Sequence, residues 1–165
     1  SEPLEKAKVY SEIYNKQIEL GKSNVFAHEY ADLIAEDVYI ESYCEAYATI
    51  YDQSLKQGKS EQYARRYADM YSEWIGNHYG KLSDAYEDSD FVFWNEKMIG
   101  NMKGWEYANE NELSDRQSFI KIYENIHINT YYADIPPLPK MNNEQIDKMI
   151  LEKAVESYER LKSNE

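Results

Sequence analysis

The sequence predicts an all-α fold of antiparallel helical hairpins, on three observations. No segment alternates apolar and polar residues with period two over a useful length, so no sheet is expected. Apolar and aromatic residues recur instead at helical spacing along the chain. A stretch of 24 residues from Tyr10 repeats at an offset of 37, with ten identical pairs, among them Tyr10/Tyr47, Tyr14/Tyr51, Gly21/Gly58 and Ser23/Ser60. Chance would give about two, so a duplication is indicated.

Each copy reads as helix, tight turn, helix. Gly21 and Gly58 can take the left-handed conformation that closes a helix. Ser23 and Ser60 then cap the next helix by accepting a backbone N–H bond. Behind the caps, Ala27, Tyr30, Ala31, Ile34 and Val38 form one stripe, and Ala64, Tyr67, Ala68, Tyr71 and Ile75 another. Over residues 10–73 the period and glycine turn resemble helical-hairpin repeats such as the tetratricopeptide family. The Gly-to-Ala spacing here is one residue longer than in that family. Residues 24–57 hold no Gly and no Pro. They therefore form either two helices kinked near residues 40–42 or one helix about 50 Å long.

The expected organisation is one helical domain over 1–165, with repeats at 10–36 and 47–73 and a divergent helical region at 84–130. Gly76 and Gly80 are expected to break the chain. Asp84 is expected to cap a helix running to about Met102, and Ser114 with Gln117 has capping-box spacing before Phe119 and Tyr123. Gly104 to Ala108 hints at a third copy without matching its spacing. Pro136, Pro137, Leu138 and Pro139 read as an extended connector. Asn142 and Gln145 predict the cap of a last helix at 142–163, whose stripe is Ile146, Ile150, Ala154, Tyr158 and Leu161.

Composition narrows the function. Thirty-one acidic residues oppose 18 Lys and Arg, for a net charge of −13, so direct nucleic-acid binding and anionic membrane surfaces are disfavoured. No apolar run is long enough for a membrane span. Mean hydropathy is −0.82, yet 17 tyrosines can build a core from apolar rings with polar tips. Cys44 is alone, which excludes an intrachain disulfide and suits a cytoplasmic setting. Ser1 is not preceded by a methionine, which leaves a removed signal peptide open.

No complete catalytic, cofactor or metal motif is present, and neither a cofactor nor a metal is expected. Gly-Lys-Ser lacks the upstream glycine and strand of a phosphate loop. Glu124 and His127 have the three-residue spacing of dinuclear carboxylate bundles, but no second such pair exists. Asp84, Glu87, Asp88 and Asp90 lack the pattern of a calcium loop. Cys44 sits among acids, which disfavour a thiolate.

The charge is uneven. Residues 24–55 contain seven acids and no Lys or Arg, and residues 84–115 contain nine acids and two lysines. In the first block, Glu29, Asp32, Glu36, Glu41 and Glu45 run beside Tyr39, Tyr43, Tyr47 and Tyr51, whose four-residue steps drift about 40° each around a helix. The tyrosines are expected mostly in the core. The expected function is a non-enzymatic protein–protein interaction module that offers an acidic, Tyr-rich surface to a basic protein. Glu29, Asp32, Glu36, Tyr39, Glu41, Tyr43 and Glu45 are its candidate contact residues. Two alternatives stand beside it. One is an acidic antagonist of a nucleic-acid-handling enzyme or basic toxin; the other is a metal-binding bundle.

Overall fold

A computed structural model of the chain describes residues 2–132 and 141–165. Among these it contains eight helices and no strand. They are α1 (Glu2–Glu19), α2 (Asn24–Glu36), α3 (Glu41–Lys56), α4 (Glu61–His78), α5 (Leu82–Glu87), α6 (Ser89–Glu110), α7 (Arg116–Tyr132) and α8 (Asn143–Ser163). The helices group into two compact units, Ser1–Asp88 and Ser89–Glu165. The proline-rich segment 136–139 lies outside the described residues.

In the first unit the duplicated sequence folds as two duplicated hairpins, α1–α2 and α3–α4, with α2 packed on α3. The turns are alike atom for atom. Gly21 and Gly58 have φ of 84° and 80°. Gly21 N–H donates to Ile18 and Lys22 N–H to Gln17, while Gly58 N–H donates to Leu55 and Lys59 N–H to Ser54. That pair of bonds is the Schellman closure, and glycine makes it free of a Cβ clash. Ser23 and Ser60 then accept the N–H of Phe26 and Tyr63 at 3.0 and 3.1 Å. The small residues Ala27, Ala31, Ala64 and Ala68 are wholly buried and let the helices approach closely; Ile75 fills the far end of the second hairpin.

Residues 24–57 do not form one long helix. The chain leaves α2 at Asp37, which adopts φ 56°, and enters α3 at an extended Ile40. The break needs neither Gly nor Pro. Aspartate tolerates the left-handed region, and Val38-Tyr39-Ile40 is a β-branched and aromatic run that favours extended backbone.

The expected break within residues 76–80 comes at Tyr79 and Gly80, where α4 has ended, and Gly76 itself lies inside the helix. A Cβ there would lie 3.2 Å from Tyr43 Cβ, so glycine serves the close approach of α3 and α4. Asp84 lies inside the short α5, which ends before Asp88, so it caps no helix running to Met102. Tyr79 closes this end of the unit by donating its hydroxyl to Asp88 at 2.7 Å.

The second unit packs α7 against both α6 and α8. Phe119, Tyr123, Ile150, Ala154 and Tyr158 with Ala108 make its core. Gly100 and Gly104 let α6 meet α7 tightly: a Cβ at Gly100 would lie 2.9 Å from the His127 ring, and one at Gly104 would lie 3.0 Å from Tyr123 Cβ. The cap of α7 is Asp115, not Ser114. Asp115 Oδ1 accepts Ser118 N–H at 3.2 Å, while Ser114 Oγ pairs with the Tyr158 hydroxyl. Asn142 and Gln145 form the expected capping box. The α8 stripe holds through Tyr158, but Leu161 has drifted to 43% exposure.

Candidate functional site

Tyr39, in the link before α3, and Tyr43, Tyr47 and Tyr51 of α3 form one stacked ladder. Ring centroids are 4.7 Å apart for Tyr39 and Tyr43, then 6.3 Å for each of the next two steps. The ladder crosses from surface to interior, as a four-residue step on a 3.6-residue helix requires. Tyr39 is exposed, Tyr43 is half-buried, and Tyr47 and Tyr51 are buried.

At the buried end the ladder is clasped by charge. Arg65 of α4 places its guanidinium 4.0 Å from the Tyr51 centroid and donates to the Tyr47 hydroxyl at 3.1 Å. It also grips Glu29 of α2 with two bonds, of 2.8 and 2.9 Å. Glu29 is therefore no part of an open acidic face. Its side chain is 9% exposed, and its charge is spent inside the unit. The Glu29 carboxylate, more than any other group, holds the Arg65 proton far above the usual guanidinium range.

At the exposed end the α2–α3 junction forms a knuckle. Val38, Tyr39 and Ile40 are 74%, 43% and 48% exposed. They border a shallow cleft of about 210 Å³, whose other walls are Tyr43, Glu73, Gly76 and Asn77. Glu73 is exposed on its wall, and Glu36, Asp37 and Glu41 are exposed on either side of the knuckle along the chain. Asp32 is exposed one helical turn back from Glu36, and Glu45 is half-exposed. Lys6 reaches Glu36 at 3.2 Å, a surface pair that salt and water weaken. Glu41 and Glu45 add to the effect of burial on Tyr30, whose phenol is pushed up to about 12. Six of the seven sequence-predicted contact residues thus lie at or near this junction, and Glu29 does not. Val38, Ile40 and Glu73 carry no mark of this role in the sequence, because a helix drawn through residue 40 hides the knuckle and only folding brings α4 to it.

Comparison with protein-family models, curated proteins and solved structures gives no match.

The other candidates resolve into structure. Both Gly-Lys-Ser triplets are turns, and their lysines lie over the following rings, Lys22 on Phe26 at 5.0 Å and Lys59 on Tyr63 at 4.9 Å. Cys44 is fully buried, and burial pushes its thiol up to about 11. Glu124 and His127 do not converge. His127 Nε2 lies 2.8 Å from Glu96, while Glu124 accepts from Asn101 and pairs with Lys97. Among the described residues no group of three His, Cys, Asp or Glu could hold a metal ion. No helix is long and apolar enough to cross a membrane among the residues described.

Proposed function

We propose that the chain is a non-enzymatic interaction module whose α2–α3 knuckle docks a basic, amphipathic protein segment. One observation carries this reading: three exposed apolar residues, Val38, Tyr39 and Ile40, lie within a rim of exposed Glu36, Asp37, Glu41 and Glu73. Apolar side chains exposed together mark contact surfaces more often than scattered ones do. The acidic rim selects the sign of the partner and speeds its encounter. Tyr39 stacks on Tyr43 and so offers a large contact area that is already ordered. The partner's lysines or arginines would meet the rim, and one of its apolar residues would enter the 210 Å³ cleft.

The acidic-antagonist reading has less behind it. Its second acidic block is partly committed to internal contacts: Asp88 to Tyr79, Glu96 to His127 and Asp115 to Lys162.

Calorimetric titration with an amphipathic Leu/Lys helical peptide tests the proposal. Binding is expected at low salt, weaker at 500 mM salt, and absent in Ile40→Ser and in the double variant Glu36→Lys/Glu41→Lys. Unchanged binding in both variants would defeat it, as would no binding to the wild-type chain.

A further inference from the structure

The two hairpins repeat their polar contacts as well as their turns. Tyr51 donates its hydroxyl toward Glu61 at 3.5 Å; 37 positions earlier, Tyr14 donates to Asn24 at 3.4 Å. Arg65 meets the Tyr47 hydroxyl at 3.1 Å; 37 positions earlier, His28 Nδ1 meets that of Tyr10 at 2.7 Å. Tyr47 and Tyr51 stack, and so do Tyr10 and Tyr14, at 5.8 Å. The pairs differ in what covers the second ring. The long Arg65 lays its guanidinium on Tyr51. The shorter His28 touches Tyr10 edge-on, at 5.7 Å, and makes no ring contact with Tyr14.

An open cleft of about 490 Å³ lies beside these residues, with Tyr10, Tyr14, Asn24 and His28 on one side and Tyr51 with the Arg65–Glu29 ion pair on the other. We infer that the Tyr10–Tyr14 face is a seat for a guanidinium group carried by a partner, filled from outside as Arg65 fills the Tyr47–Tyr51 seat from within. A planar cation over a phenol ring gains from the ring quadrupole. The Asn24 oxygen stands where Glu61 faces Arg65, and so offers an acceptor to a planar donor. Arg65 on the cleft wall is neutralised by its pair with Glu29, which leaves the exposed Asp32 as the unpaired carboxylate that bears on Tyr10. Burial, Tyr14 and then Asp32 are the largest causes that raise the Tyr10 phenol. The inference deepens the proposal of a basic partner by naming one side chain of it, yet the seat lies at the opposite end of α2 from the knuckle.

NMR titration of the full chain with L-arginine amide tests the seat, with L-lysine amide and inorganic phosphate as companion probes. Saturable shifts of the Tyr10, Tyr14 and His28 ring signals are expected with arginine amide, and at least threefold weaker apparent affinity with lysine amide. His28→Arg, which copies Arg65, is expected to abolish the response without lowering the melting temperature. Tyr14→Leu weakens it at least threefold. Glu36→Lys/Glu41→Lys leaves it intact, which separates the seat from the knuckle. Silence toward arginine amide, a response to phosphate instead, or an undiminished response in His28→Arg would overturn the inference.

Discussion

Arg65 holds Glu29 in a two-pronged ion pair that reaches from α4 to α2, across the tyrosine ladder of the helix between them. The pair ties the second hairpin to the first. Removing the arginine leaves a largely buried carboxylate without its partner. Arg65→Met is expected to cost about 2 kcal/mol, between the values for an exposed and a fully buried pair because the Arg65 side chain keeps 38% exposure. Adding Glu29→Met should recover much of that loss. Urea denaturation of the single and double variants measures both.

The two capping serines stand at equivalent positions but carry different loads. Ser60 caps α4. Ser23 caps α2 and also donates its hydroxyl to Asp52 at 2.8 Å, in the neighbouring hairpin. Ser60→Ala is expected to cost about 1 kcal/mol and Ser23→Ala about 2 kcal/mol. Equal losses in chemical denaturation would contradict the second role of Ser23.

Gly100→Ala sets two effects against each other. Alanine favours a helix interior by about 1 kcal/mol over glycine. Here its Cβ would press within 3.0 Å of three atoms of the fully buried His127 side chain. Overpacking should win, for a net destabilisation of about 1–2 kcal/mol. Gly80→Ala has open space and serves as the control in the same thermal melts.

His127 predicts how stability follows pH. Burial lowers its proton affinity in the folded chain, against the raising effect of Glu96. With Nε2–H donating to the Glu96 carboxylate, Nδ1 is buried without a hydrogen-bond partner. The unfolded chain therefore binds the proton first as pH falls. Stability is full above the unfolded value near 6.5 and declines below it, by at most about 1.4 kcal/mol per pH unit from this group. His127→Gln should flatten the difference in urea midpoint between pH 7.5 and pH 5.5.

The hairpins were legible because their signals are local. Gly21, Ser23, Gly58 and Ser60 each act within one turn of chain, and the offset of 37 displays them twice. The break at Asp37 was hidden, since aspartate in the left-handed region leaves no mark that distinguishes it from a helical acid. The fate of Glu29 was hidden for another reason. Its spacing from Asp32 and Glu36 fits a surface stripe, and its pairing depends on Arg65, 36 residues away. The repeat itself held the clue to the Tyr10–His28 contact, because His28 and Arg65 align. The charge excess of residues 24–55 thus divides between internal work at Glu29 and Asp52 and an exposed set around the knuckle.

Hydrogen–deuterium exchange of the chain with and without the amphipathic Leu/Lys peptide tests the docking proposal most directly. Slowed exchange centred on residues 36–43 and 73–77 is the predicted result. Protection confined to α6, α7 and α8, or none around Val38, Tyr39 and Ile40, would contradict it.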